Sequence, residues 1–150
     1  MKNTLAVIAI LSILPVLAGW AGPGADPAQE ILALEHRAMD GWLQGNPDPQ
    51  LAIADSEITY IHAVADQRID GLAALKELFE TYRGTPLYDS YEIVNPKVQS
   101  SGDVAVLTYL LARHNGDAIT YWNSTQVYRM KKEGWRVIHS HWSQGKPPKK

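Results

Sequence analysis

The second half of this chain alternates between strand-like segments and short turns, and this pattern limits the possible folds more than any other feature. Three connections, Ser-Ser-Gly-Asp, Asn-Gly-Asp and Lys-Lys-Glu-Gly, are typical of hairpin turns. They separate four segments rich in β-branched and aromatic residues: Tyr88–Ser100, Val104–His114, Ala118–Met130 and Trp135–Ser143. The pattern therefore predicts an antiparallel meander of four strands. Pro96 lacks a backbone donor and predicts an edge position or a bulge in the first of them.

The first half carries helix signals instead. Asp26, Pro27 and Gln29 form the capping pattern of a helix start. Apolar residues then recur every three or four positions on one stripe: Ile31, Leu34, Ala38 and Trp42. This pattern predicts a helix that buries one face and ends at Gly45-Asn46-Pro47.

Shorter elements connect this helix to the meander. Asp48-Pro49 starts a second helix, a strand is predicted over residues 57–63, and Asp70 is predicted to cap a third helix. Helices followed by an antiparallel meander define an α+β fold. We expect a strongly bent antiparallel sheet that wraps around the N-terminal helices and leaves a cone-shaped interior.

Residues 1–21 have the composition of a signal peptide. Lys2 supplies a positive start, and the apolar core Leu5–Leu17 is too short for a stable membrane span. Cleavage is expected after Ala21 or, alternatively, after Ala18, and an uncleaved anchor is the other interpretation. The sequence thus predicts a periplasmic or secreted protein with one domain over residues 22–145 and a disordered tail over 146–150.

The composition limits the classes of partner that this chain is expected to bind. The formal net charge is −2 and the only basic run is the tail Lys146, Lys149 and Lys150, so nucleic acid and, after signal cleavage, membranes are poor candidates. The chain has no cysteine, which excludes disulfides and a lipid-attached cysteine. It has five Trp and seven Tyr but one Phe, and aromatic side chains with a polar atom suit pocket walls and subunit interfaces.

His139 and His141 lie two positions apart in the last predicted strand, so their side chains must share a face of the sheet. As metal ligands they would need a third and a fourth group, for which His62 is one candidate and His36 and Asp55 are weaker ones. The alternative is a pair that packs against sheet or subunit neighbours through ordinary hydrogen bonds. Since two ligands do not make a site, the sequence predicts no metal and no other cofactor.

The last strand, Gly134–Ser143, has the form G-W-x-V/I-x-H-x-H-x-S. It resembles the final strand of the SnoaL-like proteins and of the association domain of calmodulin-dependent protein kinase II, two groups of the nuclear transport factor 2-like superfamily. The resemblance runs from about Ala28 to Ser143 and implies a cone-shaped α+β domain with a central pocket. It implies no single function, because this fold hosts enzymes, binding proteins and assembly modules.

The resemblance also implies which residues line the pocket. The pocket residue of the last strand corresponds to Trp142, so Ile138 and Ser140 share its face while His139 and His141 point away. Pocket arginines of the association domain correspond to Leu111 and Gln126 in this chain. These uncharged residues imply a small, mostly apolar ligand, for which the sequence offers three further lining residues: Trp122, Ser124 and Tyr128.

Tyr60 and His62 share a face of the predicted first strand and suggest a second class of function. In the ketosteroid-isomerase-like members a general base lies near the end of this strand, and the resemblance places His62 there. The oxyanion tyrosine of those enzymes has no match, because Ala38 and Met39 stand near its position. A cofactor-free lyase, isomerase or hydratase that uses His62 and Tyr60 is therefore the alternative to a binding module.

The segment Val104–Leu111 is apolar on both faces, whereas a strand wetted on one side would alternate. We therefore expect both faces to be buried, one of them by a second copy of the chain. The sequence predicts a homodimer that binds a small-molecule ligand.

Overall fold

The computed structural model describes residues 26–63 and 65–149, and the predicted signal peptide lies outside these ranges. The elements of the described chain are, in order, α1 (Pro27–Leu43), α2 (Asp48–Ile53), β1 (Ala54–His62), β2 (Ile69–Asp70), α3 (Leu72–Glu80), β3 (Ser90–Ser101), β4 (Val104–Asn115), β5 (Ala118–Lys131) and β6 (Gly134–Gln144). This order confirms the α+β prediction. Within the described ranges, no helix has the length and apolar character needed to cross a membrane.

Local sequence signals explain where the helices begin and end. The Asp26 side chain accepts a hydrogen bond of 3.1 Å from the Ala28 backbone N–H and caps α1 as predicted. Gly45, with a φ of 64°, allows the turn after this helix. The predicted cap of α3 is wrong: Gly71 takes that position, and Asp70 instead accepts two hydrogen bonds from Arg68, at 2.6 and 3.0 Å.

The six strands of the described chain form one curled, unclosed sheet in the order β2-β1-β6-β5-β4-β3. The four strands β3 to β6 pair as the predicted antiparallel meander. β1 runs parallel to β6, a pairing that hairpin signals do not predict, because the two strands are far apart in sequence. This pairing aligns Tyr60 with Ser140 and His62 with Trp142, which brings the end of the first strand beside the end of the last.

Two bulges set which side chains face inward. In β3 the register shifts between Val94 and Lys97, beside Pro96, and β3 is also an edge strand. Two neighbouring residues of β5 pair with Val137 and His139 of β6. Ile138 lies between these two partners in the chain, so it is the extra residue of the bulge. The prediction that Ile138 faces the pocket is therefore wrong: it is half-exposed, and Val137 is buried instead.

The core lies between the concave face of the sheet and the three helices. Ile31 of α1 and Leu75 of α3 pack there and are at most 1% exposed. Leu107 and Leu111 of β4 meet them from the sheet with no exposed surface. A cavity remains beside this core, next to the carboxyl ends of β1 and β6.

Candidate functional site

A cavity of about 140 Å³ lies next to the carboxyl ends of β1 and β6. An engineered cavity of ~150 Å³ is large enough to bind benzene, so the volume suits a small ring compound. The wall is formed mainly by aromatic and aliphatic side chains, with a few polar groups among them: Met39, Trp42, Gln50, Tyr60, His62, Leu78, Phe79, Tyr82, Leu87, Tyr88, Arg113, Trp122 and Trp142.

Strand register brings distant residues together at this cavity. The parallel β1–β6 pairing places His62 opposite Trp142. The antiparallel β4–β5 pairing places Trp122 opposite Leu111, and Arg113 follows two positions further on the same face of β4. The helical side is supplied by α1 and α3, whose buried faces contribute Met39, Trp42 and Phe79.

His62 lies within an aromatic stack on the cavity wall. Its ring centroid is 5.9 Å from that of Tyr60, with an interplanar angle of 8°, and 4.9 Å from that of Trp122, with an angle of 26°. Burial lowers the pKa of His62 to about 4, and the positive charge of Arg113 acts in the same direction. His62 is therefore neutral at pH 7 and can act there as an acceptor or, through its N–H, as a donor.

Arg113 is the charged residue of this wall and was not among the predicted site residues. Its guanidinium carbon lies 4.9 Å from the ring centroid of Trp122 and 5.6 Å from that of Tyr88, which places the cation between two aromatic faces. Its buried Nε has no hydrogen-bond partner in the described part of the chain. The sequence did contain a signal, because alternation along β4 puts Arg113 on the same face as Leu111 and Tyr109.

A buried carboxyl group lies deeper in the cone. Glu35 of α1 is 2% exposed and accepts hydrogen bonds of 2.5 Å from the hydroxyl groups of Tyr109 and Tyr128. Burial raises its pKa, against the opposite effect of the two hydroxyl donors. Glu35 was also missed, although it falls at helical spacing on the stripe between Ile31 and Ala38.

The structure separates the predicted ligand-binding residues into two groups. Trp122 and Trp142 line the cavity, as do His62 and Tyr60. The remaining predicted residues lie deeper among core side chains and do not line it: Leu111, Ser124, Gln126 and Tyr128. Their strand positions point inward as expected, but α1 fills that part of the cone.

The deeper polar residues bind one another. Gln126 donates a hydrogen bond of 3.0 Å to the Ser124 hydroxyl. Trp142 donates through Nε1 to the Ser140 hydroxyl, also at 3.0 Å, so the indole ring that lines the cavity is held from behind. Gln126 and Ser140, together with Glu35, border a separate void of about 10 Å³, which is near the size of one water molecule.

His139 and His141 lie on the other face of the sheet from His62, so these three histidines do not converge. His139 Nδ1 shares a hydrogen bond of 2.7 Å with the Thr59 hydroxyl, and His141 is exposed. Across the described ranges, no three His, Cys, Asp or Glu residues are grouped in a way that could hold a metal ion. The geometry therefore favours the interpretation of the pair as sheet-face residues.

The model of the calcium/calmodulin-dependent protein kinase II association domain matches residues 27–146, and the chain belongs to this family. No curated protein matches the sequence. The match confirms the resemblance to the nuclear transport factor 2-like superfamily that the last strand indicated.

Solved structures place the chain in the same superfamily. It is 27% identical to a candidate ketosteroid isomerase from Parabacteroides distasonis, over 82% of this chain and 91% of that one, with a TM-score of 0.73. It is 25% identical to a nuclear transport factor 2-like protein of unknown function from Pseudomonas putida, over 77% and 84% of the two chains, with a TM-score of 0.70. It is also 25% identical to the S. rosetta CaMKII hub, over 82% and 100%, with a TM-score of 0.66.

Proposed function

We propose that this protein is a binding module that holds a small, mostly apolar molecule in the cavity beside the carboxyl ends of β1 and β6. The observation that carries the proposal is the aromatic wall, to which Trp42, Trp122 and Trp142 all contribute. A ligand site is typically an apolar concavity with a few polar groups that fix orientation. His62, Gln50 and Arg113 supply such groups here.

Further support comes from how the wall is held. Trp142 is 4% exposed, is bonded to Ser140 and packs edge-to-face on Tyr109, with ring centroids 5.9 Å apart. Trp42 donates a hydrogen bond of 2.5 Å to the Gln50 side chain and packs edge-to-face on Phe79. A wall whose rings are fixed before a ligand arrives loses less conformational entropy on binding.

A cavity-filling variant tests the site. Leu78→Trp places a larger side chain in the cavity wall and so reduces the space open to a ligand, and Leu72→Trp makes the same change on the same helix away from the wall. We expect toluene, phenol or indole to be bound by the unmodified protein and by Leu72→Trp, but at least about tenfold more weakly by Leu78→Trp. Ligand-observed NMR measures this. Equal binding by both variants, or no binding to the unmodified protein, would contradict the proposal.

We also propose that the module acts as a homodimer. On the convex face of β4, Val104, Val106 and Leu110 are only half-buried in the single chain. Val106 pairs with Val127 of β5, so the apolar face extends across two strands. The family is described as an association domain and a relative as a hub, names that fit a protein which pairs through such a face.

Export is part of the same proposal and depends on the N-terminal sequence alone. If residues 1–21 are a cleaved signal, the intact mass of the exported protein should correspond to a chain that begins between residues 19 and 25. A mass that includes Met1 would contradict export by this route.

A cofactor-free isomerase or lyase is the second candidate function. Two observations favour it: His62 lines the cavity with a pKa that burial lowers to about 4, and the chain is 27% identical to the candidate ketosteroid isomerase. His62→Gln separates the two candidates. Glutamine keeps a hydrogen-bond donor and acceptor at this position but cannot take up a proton. A binding module should therefore keep its affinity, whereas an enzyme should lose about 10²–10⁴-fold in turnover, the usual contribution of a positioned base.

A further inference from the structure

The convex face of the sheet carries two histidines beside its apolar patch. Val106 of β4 pairs with Val127 of β5, and Val127 pairs with His139 of β6. His139 in turn pairs with Thr59 of β1. These four residues form one continuous row across the convex face, and each of them is half-buried in the single chain. The proposed dimer surface therefore continues from β4 through β6 to β1.

The neighbouring row contains the second histidine. Thr108 of β4 pairs with Thr125 of β5, which pairs with His141 of β6. His141 in turn pairs with Ile61 of β1. Both histidines thus lie among apolar and hydroxyl side chains on one face of the sheet, and a second copy that covers this face would take both rings out of water.

The charged groups near this pair are mostly cations. Burial lowers the pKa of His139, and the charges of His141 and Arg68 act in the same direction. Asp70, which pairs with Thr59 from β2, is already bound to Arg68 at 2.6 Å. Further charged side chains border the two rows: Glu57 of β1, Lys97 of β3, Arg129 of β5 and Arg136 of β6. Within the described ranges neither histidine forms an ion pair, so no carboxylate there compensates a proton added to either ring.

We infer that protonation of His139 and His141 dissociates the homodimer, which makes the convex face a proton-sensitive association surface. This inference rests on the proposed dimer and adds its regulation. A neutral imidazole loses little when a partner covers it, whereas an imidazolium must give up its hydration. The Thr59 hydroxyl, 2.7 Å from His139 Nδ1, bonds only one ring nitrogen, and the charged ring has a second N–H that needs an acceptor. In a two-fold dimer both copies bring the pair, so the positive charges of two chains would meet on this face.

The direction of the pH dependence follows from proton binding. Below about pH 6.5, the reference pKa of histidine, the separated chains bind more protons than the dimer, so the dissociation constant rises as the pH falls. Each ring that must lose a proton weakens the dimer by up to about tenfold at pH 5.5. The lowered pKa of His139 in the single chain reduces the share of that ring. We therefore expect the dissociation constant to increase about 10- to 100-fold between pH 7.5 and pH 5.5.

A double variant tests the assignment. In His139→Asn combined with His141→Gln, the asparagine amide can keep the bond to Thr59, but neither side chain can gain a charge. Its dissociation constant should change by less than about threefold between the two pH values. The control His36→Gln, at an exposed position of α1, should keep the full dependence. Sedimentation velocity over a concentration series measures the constants, and circular dichroism verifies that each protein stays folded at pH 5.5.

A single variant replaces the double one if the latter does not dimerise at pH 7.5. His141 is exposed in the single chain, so His141→Gln leaves the fold intact. Its pH dependence should be about half that of the unmodified protein on a logarithmic scale. A dependence equal to that of the unmodified protein would overturn the inference.

The outcomes separate this inference from the proposed dimer. A dimer with the same dissociation constant at pH 7.5 and pH 5.5 would overturn the inference and leave the dimer intact. A full dependence that survives in the double variant would assign the effect to other groups and also overturn it. If the unmodified protein is monomeric at both pH values, both the inference and the proposed dimer are wrong.

Discussion

At the scale of single residues, the cavity depends on groups whose ionisation the fold has altered. His62 is held neutral by burial and by Arg113, while burial favours the protonated form of Glu35. The lowered pKa of His62 makes folding less favourable in acid. The raised pKa of Glu35 makes folding more favourable there. The groups act at different depths, since His62 lines the cavity and Glu35 borders the small void beneath it.

His62 should make the free energy of unfolding decrease as the pH falls, within a window that its folded and unfolded pKa values define. Its pKa in the folded state is about 4, against a reference value of ~6.5, so between these values the unfolded chain binds a proton that the folded chain does not. The free energy of unfolding should therefore be highest above about pH 6.5 and decrease as the pH falls toward 4. The full shift corresponds to about 3 kcal/mol, and solvent screening of this half-buried ring reduces our expectation to about 1–2 kcal/mol.

His62→Gln isolates this contribution, because the opposing effect of Glu35 is present in both proteins. Urea unfolding at several pH values gives the free energy for each. The difference between the two proteins should change by about 1–2 kcal/mol between pH 7 and pH 4. A pH-independent difference would show that His62 keeps an ordinary pKa in the folded state.

At the scale of elements, a few backbone positions fix how the helices meet. Gly45, after α1, has a φ of 64°, and a Cβ there would lie 2.4 Å from the Thr85 nitrogen. The Gly84 N–H donates a hydrogen bond of 2.8 Å to the Gly45 carbonyl, so the ends of α1 and α3 are joined at this point. The close contact requires a residue without a side chain, in addition to one that tolerates a positive φ.

Gly45→Ala should therefore destabilise the protein more than a change at an ordinary turn glycine. We expect a loss of about 2–5 kcal/mol from the left-handed conformation and the backbone clash together. Gly102→Ala is the matched control: its φ is 60°, but a Cβ there meets nothing within 4 Å, and we expect a loss of about 1–2 kcal/mol. Thermal or urea unfolding compares the two, and equal losses would mean that the contact with Thr85 relaxes without cost.

At the scale of the whole molecule, the curled sheet has two faces with different surroundings. Its concave face and the helices enclose the core and the cavity, and its convex face presents Val104, Val106 and Leu110 of β4. The two faces share the same strands, so a second copy packed on the convex face would also support the strands that carry Arg113 and Trp122.

Val106→Glu tests the role of the convex face. A carboxylate placed opposite Val127 would lose its hydration on dimerisation, so we expect a monomer at micromolar concentration. Val106→Thr keeps the shape and the strand propensity, and it should remain dimeric with a modest loss of affinity. Sedimentation velocity measures both, and a monomeric unmodified protein, or a dimeric Val106→Glu, would contradict the proposed dimer.

The sequence by itself determined the elements of this fold, because helix caps, hairpin turns and the change from helical to strand periodicity are local signals. Asp26 marked the start of α1, Pro96 marked the bulge and edge of β3, and the last strand indicated the superfamily. The resemblance of the last strand also implied that Trp142 points inward and His141 outward. Each of these features depends on residues close together in the chain.

Only the tertiary structure decided which residues form the cavity wall. The parallel pairing of β1 with β6 joins segments far apart in sequence, and it brings His62 beside Trp122 and Arg113. The extra residue at Ile138 shifts the inward face of β6, and α1 packs over the buried side chains of Gln126 and Tyr128, which leaves them in the core. Glu35 and Arg113 were visible as polar residues on inward faces, but their surroundings depend on register, bulges and sheet curvature, which no local pattern determines.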